Sequence, residues 1–175
     1  MNKIHPSSEI VNIFELGEKV VHENELMANE KGVSLFLNLE VNLNCFADPG
    51  MVKIVLHNLI SNAIKFTPKG GSVIVDSKSF SNYIEISVKD DGIGIDEDEV
   101  KDIFNFEKKK LHIGTNKEKG TGLGLDVCRE FVDANGGLIW AESNIGKGTV
   151  IYFTLPSRYS SSAEGQDNAY QEFSN

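Results

Sequence analysis

Asn58, Asn62 and Lys65 fall at i, i+4 and i+7 in a stretch that also carries an apolar stripe, so a helix there projects all three from one face beside its buried side. Amide oxygens are hard donors of the kind Mg²⁺ accepts, and that ion keeps most of its shell for water and phosphate. A lysine ammonium two turns along can meet a phosphate oxygen. On any other helix the same residues would be an ordinary solvated face. Asp90 ends an apolar run and is followed by Asp91-Gly92-Ile93-Gly94-Ile95. A carboxylate beside two glycines can accept a hydrogen bond from the exocyclic amine of a purine slid against thin backbone, although a plain Asp-Gly turn has the same spelling. Farther on, Gly120-Thr121-Gly122-Leu123-Gly124-Leu125 opens a helical pattern. Glycines at such a place let backbone N–H groups approach a phosphate while the helix N-terminus supplies partial positive charge. No Gly-Lys-Ser/Thr follows, which excludes a Walker loop, and the missing βαβ context excludes a dinucleotide fingerprint.

The formal net charge of the chain is -9. Yet Lys101, Lys108, Lys109, Lys110, Lys117 and Lys119 crowd the stretch before the second glycine cluster. A solvated loop is the simpler reading, but a lid closing lysines over a polyphosphate explains both the length and the sign. The acidic balance argues against nucleic acid as a partner. No apolar run nears the roughly 18 residues of a membrane span, so no membrane contact by these residues is expected. Cys45 and Cys128 lack metal-ligand spacing and read as unpaired thiols in a reducing cytoplasm.

The elements that must position these groups follow from periodicity. Residues 9–31 carry Ile10, Ile13, Phe14, Val20, Val21 and Met27, which predicts a helix weakened by Gly17 and stopped near Gly32. Val33, Leu35, Leu37, Leu39 and Val41 alternate as a strand, with Phe36 breaking the pattern. Asp48-Pro49 is a cap followed by a first-turn proline, and the helix after it buries Val52, Val55, Leu56, Leu59, Ile60 and Ala63, ending near Phe66 before Pro68. Runs 72–79 and 83–89 form an antiparallel hairpin. Asp96 with Glu99 reads as a capping box for a short helix to about residue 104. A helix with Val127, Cys128, Phe131 and Val132 inward closes at Asn135-Gly136-Gly137. Strands 138–143 and 149–155 follow. The order implies an α+β fold, a two-layer sandwich with a mixed, largely antiparallel sheet on helices. Residues 1–8 read as a leader, 9–156 as one domain and 157–175 as a mobile tail.

Together these segments resemble the histidine-kinase branch of the ATPase superfamily shared with type II topoisomerases, Hsp90 chaperones and MutL repair proteins, over about residues 9–156. His57-Asn58-Leu59-Ile60-Ser61-Asn62-Ala63-Ile64-Lys65-Phe66-Thr67 looks like the family's N box, and Asp90 to Ile95 like its G1 box. Phe104-Asn105-Phe106 stands in the place of the F box, and residues 120–125 are similar to the G2 box. Gly146-Lys147-Gly148-Thr149 fits a smaller glycine motif between the last strands. The resemblance implies ATP and Mg²⁺ as ligands, held in what is termed the Bergerat fold. Asn62 would ligate the metal, with Asn58 beside it. Lys65 would hold a phosphate, Phe66 would pack on adenine, and Asp90 would read its amino group. Gly92, Gly94 and Ile95 would shape the pocket. Lys108, Lys109, Lys110, Gly120, Thr121, Gly122, Leu123, Gly124 and Thr149 would complete the nucleotide site. The hydrolytic relatives place Glu where this chain has Asn58, so the resemblance implies phosphoryl transfer to a residue. The F-box phenylalanines are one residue closer than the family commonly has them, and the lid offers Lys where Arg is frequent.

The expected function is therefore the catalytic half of a two-component sensor histidine kinase, presenting Mg·ATP to a histidine on a separate helical dimerisation and phosphoacceptor domain, with a response regulator downstream. None of His5, His22, His57 and His112 stands before an acid and an Arg as the family's acceptor does, so a fragment of a larger kinase or a split protein acting in trans is expected, in the cytoplasm, with a parent that could itself be membrane-anchored. Residues 10–27 and 104–106 would supply an apolar docking surface. Two alternatives share the same motifs: a serine-directed kinase of the anti-sigma type, and a nucleotide-sensing interaction module without phosphotransfer.

Overall fold

The computed structural model describes residues 4–104, 114–116 and 124–157. Eleven elements are found among them: β1 (Glu9–Asn12), α1 (Ile13–Lys31), β2 (Ser34–Asn38), β3 (Asn44–Ala47), α2 (Pro49–Phe66), β4 (Ser72–Ser79), β5 (Tyr83–Asp90), α3 (Glu97–Val100), α4 (Gly124–Ala134), β6 (Ile139–Asn144) and β7 (Gly148–Pro156). The helix best specified by its own residues is α2. Asp48 accepts the Met51 N–H at 3.0 Å, Pro49 occupies the first position, and Val52, Val55, Leu56, Leu59, Ile60, Ala63 and Ile64 are buried. Each of the larger of these contributes about 1.5–3 kcal/mol through burial.

The main sheet has the order β2-β4-β5-β7-β6. Only β2 and β4 run parallel; the other neighbours are antiparallel. Alternate side chains of β4, β5 and β7, among them Val73, Val75, Ile84, Ile86, Val88, Ile151, Phe153 and Leu155, join the helices in one core, as the period of two requires. This is the expected two-layer α+β sandwich. Cys45 and Cys128 are both buried and free, and burial pushes each thiol up to about 12.

The sequence pattern misplaces the first element. Residues 9–12 are not the start of a helix but a strand, β1, paired antiparallel with β3, and the helix begins at Ile13. Asn12 caps it by accepting the Glu15 N–H at 3.1 Å, and an Asn followed three residues later by Glu was a usable start signal. Ile10, counted on the helical stripe, is instead 77% exposed, and Met27 and Val41 are exposed too. The buried face of α1 is Ile13, Gly17, Val20, Asn24, Ala28 and Lys31. Gly17 is part of that packing: a Cβ there would come within 2.7 Å of Leu39 Cδ1. Strand β2 stops at Asn38, and the short helix α3 stops at Val100, before the expected end near Phe104. Asp96 caps α3 through the Asp98 N–H.

Helix α4 ends on a contact that no local pattern foretold. Asn135 is buried; its Oδ1 accepts the Asp48 N–H at 2.7 Å while its Nδ2 donates to Phe131 O at 2.8 Å. One amide thus ties the end of α4 to the start of α2. Removing it leaves the partly buried Asp48 N–H without its acceptor, so Asn135→Ala is expected to lower unfolding free energy by about 1–3 kcal/mol, read as a lower denaturation midpoint at unchanged m.

Candidate functional site

The C-terminal half of α2 carries most of the polar groups singled out above. Asn58, Asn62, Lys65 and Phe66 are all half-buried along it. The Asn62 side chain has no partner among the described residues. Lys65 Nζ lies 4.9 Å from the centroid of the Phe66 ring. Asn58 faces α4: a Cβ on Gly124 would stand 3.4 Å from Asn58 Oδ1, while the Cys128 thiol on α4 donates to Val55 O at 3.8 Å. The first turn of α4, where the second glycine segment ends, is therefore seated on the middle of α2.

At the end of α2 the backbone carbonyls find tertiary partners rather than water, as a helix terminus facing the interior must. Lys31 reaches across from α1 to donate to Ile64 O at 2.9 Å and to Lys65 O. Thr115 donates to Lys65 O through its N–H at 3.1 Å, and its hydroxyl lies 3.2 Å from both Lys65 O and Thr67 O. Phe66 O accepts the Ile93 N–H at 3.2 Å. The last bond joins the helix to the first glycine segment.

Asp90, the final residue of β5, is 7% exposed. It shares the parity of the buried Ile84, Ile86 and Val88, so the strand turns its carboxylate toward the helices. That parity was readable beforehand and separates the two adjacent acids. Asp91 is exposed and spent locally, accepting the Ser72 N–H at 2.7 Å and the Ser72 hydroxyl at 2.9 Å. Asp90 Oδ1 accepts N–H groups from Gly92 at 2.9 Å and Thr149 at 3.2 Å. Oδ2 receives no donor among the described residues. Burial pushes the carboxyl up to about 6 against the lowering effect of the two N–H donors.

Glycine is required around this carboxylate. A Cβ on Gly92 would fall 2.5 Å from Phe66 O and 2.7 Å from Asp90 Oδ1, so the loop passes between the end of α2 and the acid with no room for a side chain. Gly94, at φ +72°, would put a Cβ 2.0 Å from Asn144 O. The β6–β7 turn is thereby pressed against the loop, and Gly146 N–H donates to Ile93 O at 2.8 Å.

Thr149 is buried, with its N–H on Asp90 and its hydroxyl 2.8 Å from Ser143 Oγ. It supports Asp90 from the neighbouring strand, where the two residues are register partners. Ser143, which the sequence reading missed, accepts the Ile95 N–H at 2.8 Å and so fastens the loop to β6. Its partners lie 48 and 6 residues away, and no short motif signals such a contact.

The structure thus gathers Phe66, Asp90, Gly92, Gly94, Ile95 and Thr149 around one loop, and joins Asn58 to Gly124 along the same helix that bears Asn62 and Lys65. Lys108, Lys109, Lys110, Gly120, Thr121, Gly122 and Leu123 lie outside the described residues, as do Asn105 and Phe106. A recessed carboxylate flanked by side-chain-free backbone suits a flat base with an N–H donor. The amides and ammonium farther up the helix suit a hard cation and anionic oxygens.

The family model described as "Histidine kinase-, DNA gyrase B-, and HSP90-like ATPase" matches residues 47–159. The chain is 43% identical over 133 residues to the sensor histidine kinase WalK of Bacillus subtilis, covering 74% of this chain and 22% of WalK. It is 37% identical over 147 residues to the adaptive-response sensory kinase SasA of Prochlorococcus marinus, covering 83% of this chain and 38% of that protein. It therefore spans well under half of the relatives it matches. Its fold is similar to the catalytic domain of histidine kinase ThkA, with a TM-score of 0.76 at 29% identity over 86% of this chain and 98% of that one. Full-length ShkA, solved in complex with AMPPNP, superposes with a TM-score of 0.77 at 26% identity over 91% of this chain and 33% of ShkA. ThkA has also been solved in complex with the response regulator protein TrrA.

Proposed function

This chain belongs to the family of histidine kinase-, DNA gyrase B- and HSP90-like ATPases, and from that premise we propose that it binds Mg·ATP between α2, the Asp90 loop and the start of α4, and presents the γ-phosphate to a histidine on a separate helical domain. The observation that carries the reading is the Asp90 carboxylate, buried, held through Oδ1 by Gly92 and Thr149, and flanked by a loop too tight for side chains. In this reading Asp90 Oδ2 accepts from the exocyclic amine of adenine, the Phe66 ring packs on the base, and the Lys65 ammonium meets a phosphate oxygen. Asn62 fits a metal ligand, since its amide is uncommitted among the described residues on the face between Asn58 and Lys65. When bound, Mg²⁺ neutralises and orients the phosphates.

The balance between transfer and hydrolysis turns on Asn58. An amide cannot take a proton from water, and this one faces the first turn of α4 beside Gly124. No general base stands there, so a phosphoryl acceptor must come from outside. The partner implied is a helical phosphoacceptor domain of a sensor kinase, with a response regulator receiving the phosphate next, a reading supported by the sensor kinases among the relatives and by the complex of ThkA with the response regulator TrrA.

The test is incubation of the protein with γ-labelled ATP and a separately made helical hairpin domain of a sensor kinase. Label on the hairpin that is lost in acid and kept in alkali is the expected result. Acid-stable label would instead favour serine-directed transfer. Saturable ATP binding with no labelled product would leave a nucleotide-sensing module.

A further inference from the structure

We propose that Lys31 and Thr115 act together as positioning residues for the nucleotide, clamping the peptide between Lys65 and Phe66 from two separate parts of the chain. The inference rests on the reading that these two residues contact ATP. It assigns a role to side chains that lie in none of the motifs.

Lys31 is the last residue of α1 and only 7% exposed. Burying an ammonium costs several kcal/mol unless strong acceptors replace its water. Its acceptors include Ile64 O and Lys65 O at the end of α2, where unpaired carbonyls and the helix dipole concentrate negative charge. A stem of four methylenes ending in an apolar contact would fill the same volume at less cost. The charge therefore does something that packing alone would not: it fixes the direction of two carbonyls.

Thr115 approaches the same carbonyl from residues 114–116. Its N–H and its hydroxyl both point at Lys65 O, and the hydroxyl is equally close to Thr67 O. One hydroxyl hydrogen serves only one acceptor at a time; since Lys65 O already accepts from Lys31 and from the Thr115 N–H, the hydroxyl can turn to Thr67 O and tie down the helix end there as well. Lys65 O thus collects donors from α1 and from the chain following residue 113. The next carbonyl, Phe66 O, is held by Ile93 N–H beside Gly92. With successive peptides pinned on three sides, the Lys65 stem and the Phe66 ring, whose ends lie 4.9 Å apart, leave the backbone in fixed directions from which they would meet phosphate and base. Preorganisation of this kind raises affinity by lowering the ordering cost on binding.

The experiment measures ATP and Mg·ATP affinity by calorimetry for the full chain and for Thr115→Ser, Thr115→Val and Lys31→Met, with thermal melts alongside. Thr115→Val is expected to weaken ATP binding by about tenfold, whereas Thr115→Ser stays within about twofold of the parent and both melt like it. Lys31→Met, which keeps the volume, is expected to weaken ATP binding by at least as much. Should Lys31→Met fail to fold, the Val and Ser pair at position 115 decides. Parental affinity in Thr115→Val, or equal losses in Val and Ser, would overturn the clamp while leaving the ATP site standing. Failure of the parent chain itself to bind ATP would instead remove the reading on which the clamp depends.

Discussion

Replacing Asn62 with alanine is expected to abolish the Mg²⁺-dependent part of nucleotide binding and to leave the fold intact. The two halves of this expectation have different physical origins. Asn62 is half-buried on the polar face of α2 and holds no side-chain partner among the described residues, so its truncation strands no internal donor or acceptor. Such substitutions usually move stability by no more than about 0.5 kcal/mol. An oxygen ligand to a hard cation is another matter, because Mg²⁺ binds a protein through one or two such donors and its remaining partners are phosphate and water. Losing one is expected to weaken Mg·ATP binding on the order of 100-fold, while the affinity for ATP measured with a chelator present changes little. Calorimetric titrations with and without Mg²⁺, on variants whose melting curves overlay the parent, check both parts. An unchanged affinity in Mg²⁺ would remove Asn62 from the metal site.

Asp90→Asn is expected to cost the chain most of its adenine recognition and, at the same time, to make the unliganded protein more stable at neutral pH. The carboxyl is pushed up to about 6 by burial. Between the unfolded value near 4 and that value, the folded chain binds a proton that the unfolded chain does not, so stability from this group falls as pH rises through the window. Above about 6 the ionised acid is carried at a penalty on the order of 3 kcal/mol at most. Asparagine keeps an oxygen for the Gly92 and Thr149 N–H groups and escapes the charge. What it loses is the charged acceptor on Oδ2, worth about 1.5–3 kcal/mol, or roughly 10- to 150-fold in ATP affinity. A titration of affinity against pH carries the signature: ATP binding by the parent weakens as pH falls through about 6, and binding by Asp90→Asn stays flat. Equal pH profiles for the two proteins would take Asp90 out of base recognition. The opposite movements of stability and affinity are those of a site held ready at the expense of its own fold.

The clustering of exposed apolar residues near the start of the chain bears on docking. Ile10 lies on β1 and not on a helix, so it and Met27 do not form one helical stripe. Any partner surface that uses them must span the small β1–β3 sheet as well as α1.

The residues alone determined whatever depends on near neighbours. Asp48-Pro49, the spacing of six apolar side chains and Pro68 specify α2 within a residue at each end, because capping, φ restriction and the 3.6 period act within a turn or two. The hairpin of β4 and β5, the last two strands and the α+β class follow from the period of two and its turns in the same way. Asn62, Lys65, Asp90 and the glycines could be singled out as candidates from the sequence because each is marked by its type and its immediate company. Tertiary structure decided which distant groups meet. The pairing of residues 9–12 with β3 overrode a helical pattern because strand preference is set by a partner and not by the segment itself. Asn135 on Asp48, Ser143 on Ile95, and Lys31 with Thr115 on the Lys65 carbonyl lie 87, 48, 34 and 50 residues from their partners. A polar side chain can be satisfied by many groups, and only the packing of α1, α2, α4 and the sheet brings one of them within hydrogen-bonding distance.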